Sequence, residues 1–341
     1  MRKLICTLFI ALAALSCRSL TSQGTKHGTQ GAPYEVLVVC NNAEWESSLG
    51  EALRSLLQQP IDMLSSEEPM FSVLRVAPDN FTGASLLENH RNILKVVVSP
   101  KVQRAAILAQ YDVTAAPQVV LTFQSPDEQA ALEYLSQNGE ALLDILEIAE
   151  RDRTVAYGEK YQSRMVCDAI RKVVGVDMKV PKGYDFRSES DHFVWASREF
   201  PMASQGFFIY SYPYTGKDDL SLANLVRMRN EMARRIPGPS DGSYMITVDK
   251  IPIDSKHYKP FEPSYKALKI NGQTWIEMRG FWDVANDFMG GPFVSFTTVD
   301  KATQRVVTLD CYVHSPKYGK RNHLRALEHL VYLIDLGDKE Q

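Results

Sequence analysis

The residues Gly238-Pro239-Ser240-Asp241-Gly242 match the G-x-S-x-G pattern of serine hydrolases. That chemistry needs a strand entering the turn and a helix leaving it, so that the serine oxygen is lifted above a sheet. Here the order is reversed: a predicted helix enters and a predicted strand leaves. No downstream histidine has an evident partner role, and Pro237 and Pro239 fit a turn that stops a helix. Ser240 is therefore read as a turn residue and not as a nucleophile.

Other candidates are equally sparse. Tyr111-Asp112-Val113 followed by Ala116-Pro117-Gln118-Val119-Val120-Leu121 faintly resembles the cis-proline strand of thioredoxin-like folds. Redox chemistry would need a reactive cysteine pair upstream, and Cys40 stands alone before Asn41-Asn42. Cys40, Cys167 and Cys311 each sit in or beside an apolar run, as buried free thiols do. The seven histidines are scattered; His323 and His329 lie six apart and cannot share a helix face as zinc ligands at i and i+4 would. No metal site and no cofactor is predicted. The cluster Glu147, Glu150, Arg151, Asp152 and Arg153 reads as a solvated helix face.

Two features remain as recognition candidates. Phe208, Tyr210, Tyr212 and Tyr214 alternate along one strand and face one way, with Phe207 and Ile209 facing the other. This reads as a central strand, the alternative being a row that stacks on sugar rings. The segment Trp282 to Phe293 reads as a long loop between two strands, carrying Asn286, Asp287, Phe288 and Met289, with Gly290-Gly291 supplying backbone angles closed to other residues. Together with the Ser240 turn it predicts one binding pocket lined by Asp241, Tyr244, Trp282, Asn286 and Asp287. The competing reading is a structural hairpin whose Trp282 and Phe288 plug the core.

The elements that must position these residues follow from periodicity. Strands are predicted over Glu35–Cys40, Phe71–Val76, Ile93–Ser99, Ala105–Tyr111 and Gln118–Phe123, with helices over Glu44–Gln58 and Gly83–His90. Pro126–Val174 is helical, broken once at Asn138-Gly139. Strands follow at Met178–Val180, His192–Ser197, Gly206–Tyr212, Tyr244–Val248, Thr274–Trp282, Pro292–Val299 and Val306–His314. A helix over Leu220–Ile236, capped by Asp218 or Asp219, and a closing helix over His323–Leu336 complete the set. The fold class is α+β: an N-terminal α/β domain (34–126), a helical connector (127–175) and a C-terminal domain (176–338) with an antiparallel sheet packed with helices on a face.

The 341-residue chain is 45% hydrophobic and 23% charged, enough for two cored domains. Arg2-Lys3, the apolar run Leu4–Leu15 and the small residues before Cys17 have the layout of a cleaved signal over 1–16. Ala14-Leu15-Ser16-Cys17 resembles a bacterial lipobox, although Ala14 stands where leucine is usual; Cys17 is the expected lipidation site. Residues 17–33, rich in Ser, Thr, Gly and Gln, read as a lipidated flexible tether. Loss of Arg2 and Lys3 takes the net charge from −3 to −5, which argues against nucleic acid as a partner.

The segments Ser204-Gln205-Gly206 to Tyr212-Pro213-Tyr214, Ile236-Pro237-Gly238-Pro239-Ser240 to Ser243-Tyr244-Met245, Arg279-Gly280-Phe281-Trp282 to Asn286-Asp287-Phe288-Met289-Gly290-Gly291-Pro292-Phe293, and Arg305–Leu309 resemble those of the domain of unknown function 4837 family, uncharacterised lipoproteins of Bacteroidetes. The resemblance implies a Gram-negative envelope lipoprotein and supplies no catalytic residue. The expectation is a lipid-anchored protein of the cell envelope, on the outer membrane and facing the periplasm because Arg18-Ser19-Leu20-Thr21 holds no acid. It would bind or scaffold an envelope protein or glycan partner. The alternative is a periplasmic hydrolase acting on envelope glycan or peptide.

Overall fold

The computed structural model describes residues 26–254 and 256–337, so the expected signal, Cys17 and most of the expected tether lie outside the described residues. Among those described, no helix is long and apolar enough to cross a membrane.

The first domain grows from β-branched runs that can be buried on both faces. Strands β1 (Glu35–Val39), β2 (Ser72–Val76), β3 (Asn92–Val98), β4 (Ala106–Tyr111) and β5 (Val119–Ser125) form a sheet ordered β2-β1-β3-β5-β4. All neighbours are parallel except β4, which runs antiparallel to β5 at the edge. Helices α1 (Ser48–Leu57) and α2 (Glu128–Lys160) cover one face through Leu49, Leu53, Leu57, Leu142, Leu143 and Leu146. The other face has only a small cluster of Leu37, Val39, Phe81, Ile93 and Val120.

Helix α2 is unbroken where Asn138-Gly139 suggests a stop. Gly139 is spent on proximity instead: a Cβ there would sit 3.1 Å from Leu56 Cδ1, so its absence lets α1 approach α2. The charged stretch that reads as a solvated face is also different. Glu150 is buried and accepts from Asn92 Nδ2 at 2.7 Å, Arg91 Nη2 at 2.8 Å and Arg153 Nη1 at 3.0 Å. Periodicity alone could not separate a buried ion cluster from a wet one, because its partners Arg91 and Asn92 lie on β3 and its approach.

After α3 (Arg164–Val173) the second domain is built on an eight-stranded antiparallel sheet, with two small two-stranded pairs (Asp177–Met178 with Ile334–Asp335, and Lys250–Pro252 with Tyr258–Pro260) outside it. Its strands are β6 (Asp185–Ser190), β7 (Phe193–Phe200), β8 (Ala203–Pro213), β9 (Tyr244–Thr247), β10 (Ser264–Ile270), β11 (Gln273–Ala285), β12 (Gly290–Asp300) and β13 (Arg305–His314). The order is β9-β11-β12-β13-β8-β7-β6, with β10 also pairing β11. Helices cover both faces, not one: α3 and α5 (Arg321–Glu328) pack on one and α4 (Leu222–Ala233) on the other. The sequence reading misses β6 and β10 because their charges hide the alternation: β6 carries Asp185, Arg187 and Glu189, and β10 carries Lys266 and Lys269. The row Phe208, Tyr210, Tyr212 lies on the α4 face of β8, where Tyr210 is 1% exposed and so cannot stack on a sugar. The cap of α4 is Ser221, whose hydroxyl accepts from Asn224 N; Asp219 caps the short turn before it. The closing helix ends at Glu328, and His329–Leu333 tighten into a 3₁₀ turn that buries Leu330, Val331 and Leu333.

An ionic seam joins the domains. Burial pushes the Glu328 carboxyl up, but the Arg279 and Arg325 guanidinia outweigh it and hold it at about 2. Arg279 reaches Glu328 at 2.5 Å and grips Glu277 through two bonds of 2.8 Å. Arg325 lies 3.4 Å from Glu147 on α2. Beside it, Tyr34 of the first domain bonds His329 Nε2 at 3.1 Å, and Thr154 of α2 bonds His329 Nδ1 at 3.0 Å.

Inside the second domain, Arg229 of α4 and Asp310 of β13 form an ion pair whose side chains are fully buried. Arg229→Met leaves the Asp310 carboxylate unpaired in the core and is expected to cost about 3–5 kcal/mol. The double variant R229M/D310L is expected to recover most of that loss in chemical denaturation. A single variant as stable as the parent would contradict the assignment.

Candidate functional site

The Ser240 turn and the Trp282 segment lie together. Strand β9 pairs with the end of β11, Tyr244 opposite Ala285, which carries the turn before β9 up to the turn after β11. Ser240 Oγ donates to Asp287 Oδ2 at 2.6 Å, and Asn286 Nδ2 reaches Gly242 O at 3.5 Å. The Ser240 hydrogen bond lowers the Asp287 carboxyl below its usual range. Within the first turn, Ser243 Oγ donates to Ser240 O at 2.6 Å and accepts from Ser240 N. Gly238 is required there, because a Cβ would lie 2.2 Å from Ser243 Oγ.

The expected long loop is short. Strands β11 and β12 extend until only Asn286–Met289 connect them, closed by Val284 N to Met289 O at 2.9 Å. The left-handed residue is Asn286, φ 69°, and neither Gly290 nor Gly291. Gly291 serves close approach instead: a Cβ would lie 2.0 Å from Val313 O on β13. That same carbonyl accepts from Trp282 Nε1 at 3.3 Å.

Beneath these turns is a pocket of about 260 Å³. Its floor is aromatic: Trp282 meets Tyr312 edge-on at 5.7 Å, and Trp195 Nε1 donates to the Tyr312 hydroxyl at 2.8 Å. Met245, Val284 and Met289 form one wall, and Ile236 and the Pro237–Pro239 turn another. Glu199 and Ser204 are the polar side, already joined to each other at 3.0 Å.

Of the five predicted site residues, only Trp282 lines this pocket, and it does so as a buried floor. Tyr244 pairs along β9 under the Arg234 guanidinium, 4.7 Å from its ring. Asp241 and Asn286 are exposed on the two turns, and Asp287 is committed to Ser240 and Phe288 N. Missed were Trp195, Tyr312, Met245 and Glu199, while Met289 of the predicted recognition segment does line the pocket. Their signal was present in part: Trp195 and Tyr312 occupy the same alternating face as Phe193 and Phe208, but which strand ends meet is a matter of sheet order. Phe288 does not plug the core; it stands fully in solvent at the tip of the turn.

The arrangement has no nucleophile–base pair. Ser240 donates its hydrogen bond to a carboxylate that is exposed and held low, with no histidine in contact. Cys40 follows β1, where burial and the nearby Glu44 push its thiol up to about 12, the opposite of a redox thiol. Among the described residues no group of three His, Cys, Asp or Glu is placed to hold a metal ion. Ser240→Ala should change stability by no more than about 1 kcal/mol, the loss of one exposed hydrogen bond. Fluorophosphonate treatment is expected to leave the protein unlabelled, as read by intact mass; an adduct at Ser240 would make it a nucleophile.

No curated protein matches the chain by sequence. Similar solved structures include a point mutant of the protein Mog1 (10% identity, 48% of this chain, 91% of that one, TM-score 0.27) and the Saccharomyces cerevisiae Ran-binding protein Mog1p (10%, 48%, 90%, 0.28). The human StarD13 (DLC2) lipid transfer and protein localization domain follows at 9%, 45%, 89% and 0.22. At these scores none of them informs fold or function. Residues 29–157 match a second domain of unknown function (DUF8532). Residues 163–332, the sheet that carries the pocket, match the domain of unknown function (DUF4837), and the chain belongs to that family.

Proposed function

We propose that this is a lipid-anchored envelope protein, facing the periplasm, that binds a protein partner through the aromatic pocket and the Asn286–Met289 turn. The observation that carries the reading is Phe288. A fully exposed phenylalanine forgoes roughly 1.5–3 kcal/mol of burial. Here it stands on a turn fixed by Ser240, Asp287 and Val284, beside Met289 of the pocket wall. Rigid aromatic and Met groups around a small cavity are the usual anchors of protein interfaces. A glycan is the weaker occupant, because the polar side offers only Glu199 and Ser204, which bond each other.

The test is a photo-crosslinking side chain at position 288 in intact cells, with the exposed Tyr318 as a control site. Position 288 is expected to give a discrete protein adduct that Met289→Asp reduces at least tenfold. The same diffuse labelling at both positions would sink the reading.

The anchor is tested separately. Cys17→Ala is expected to move the protein from the membrane to the soluble fraction, and protease added to intact cells should leave the anchored protein whole. Unchanged membrane fractionation of the variant removes the lipid-anchor part of the proposal; digestion removes the periplasmic part.

A further inference from the structure

A second cavity opens where the two domains meet, and it shares no residue with the aromatic pocket. It has a volume of about 500 Å³ and is walled by α2 of the first domain and by β10, β11 and α5 of the second. Cavities of this size at domain interfaces are common small-molecule sites. Its cations are already held. Arg279 grips Glu277 and Glu328, Arg325 bonds Glu328 Oε2 at 3.0 Å, and Lys266 lies 3.2 Å from Glu277. Arg151 bonds Asp152 and lies over the Tyr332 ring, 4.7 Å from its centroid. Its acids are not all held. Glu147 Oε1 is buried without a hydrogen-bond partner, and the ion pair of Glu147 is a long one, 3.4 Å from Nη2 of an Arg325 that Glu328 also uses. Burial, the largest cause, raises the Glu147 carboxyl above its usual range, and the charge of Arg325 does not offset it. Asp144, one turn earlier on α2, lines the same cavity and has neither a hydrogen bond nor an ion pair among the described residues.

We propose that this cavity is a small-molecule site for a short aliphatic diamine, with one ammonium on Glu147 and the other on Asp144. Charge selects the ligand. With the cations spent and two carboxylates open on one face of α2, an anion finds no partner here and an ammonium finds two. A metal ion is poorly served, because among the described residues no group of three His, Cys, Asp or Glu is placed to hold one. The walls between the charges are apolar, from Met70, Ile148, Leu268 and Phe296. They suit methylene groups, which an inorganic cation lacks. Helix geometry sets the length: residues three apart have Cβ atoms about 5–6 Å apart, a separation that a diamine of about four or five methylenes can match. The two ends are not equivalent. The Glu147 side chain is 24% exposed and Asp144 stands in solvent, so the inner contact is made in the lower dielectric and is the stronger one.

The test is titration calorimetry on the full chain with 1,5-diaminopentane, pentylamine and pentan-1-ol as probes. The diamine is expected to bind saturably, pentylamine at least tenfold more weakly, and the alcohol not at all. Glu147→Gln, which keeps the shape and removes the charge, is expected to abolish binding of both amines. Asp144→Asn is expected to bring the diamine down to the affinity of pentylamine and to leave pentylamine itself unchanged. Ile148→Arg, at a half-exposed position on the cavity wall, introduces a competing cation and should also abolish binding; it keeps the test open if Glu147→Gln does not fold. Diamine binding that survives Glu147→Gln or Ile148→Arg in a folded chain would overturn the proposal. So would pentan-1-ol binding as tightly as the diamine, heat that sodium chloride reproduces at equal ionic strength, or no saturable binding up to about 10 mM. None of these outcomes depends on the anchor or on the aromatic pocket.

Discussion

The ion pair of Arg229 with Asp310 is the constraint on which the second domain is built. Asp310 sits on β13, in the middle of the sheet, on the face where its neighbours are Phe193, Phe208, Tyr210 and Phe293. An acid there is costly unless its partner is fixed. Arg229 supplies two bonds, Nε to Oδ2 at 2.9 Å and Nη2 to Oδ1 at 3.2 Å, then spends Nη1 on Thr247 and lays its guanidinium 3.7 Å from the Phe293 ring centroid. One side chain thus ties α4 to β13, β9 and β12 at once. With that contact made, Met228 and Met232 can only pack downward, and Ile236 must reach the sheet end where Pro237–Pro239 form the pocket rim. Hydrophobic residues alone would hold α4 on the sheet but would tolerate sliding along it.

A second set of charges does comparable work between domains. Glu328 is buried, and the Arg279 and Arg325 guanidinia more than offset that burial and hold its carboxyl low. Because Arg279 belongs to β11, Arg325 to α5 and Glu147 to α2, the seam joins both domains across three elements. His329 completes it without charge: burial pulls its imidazole down to about 4, so near neutral pH it bridges Tyr34 and Thr154 as a neutral group.

What was legible in the sequence was whatever local spacing determines. The β-branched runs, the alternating aromatic strand, the α4 helix and the turn at Pro237–Gly242 all follow from periods of 2 and 3.6 and from proline and glycine chemistry. The three isolated cysteines are indeed free and buried. What was not legible depends on partners distant in the chain. Glu150 reads as solvated until Arg91 and Asn92 are brought to it. Gly139 reads as a breaker until α1 lies against it. The Ser240 and Trp282 turns do lie together, because they flank paired strands, yet the walls of the cavity beneath them come from β7, β11, β13 and the rim turn after α4. No spacing within one segment could have put Trp195 against Tyr312.

The distribution of charge bears on how such a protein can recognise anything. Four arginines are consumed inside: Arg229, Arg279, Arg325 and Arg153 are all committed to carboxylates. The aromatic pocket holds one carboxylate, Glu199, which is already bonded to Ser204. Recognition there therefore draws on apolar burial more than on charge. Such contacts give affinity through slow release more than through fast capture, since long-range steering draws on exposed charge.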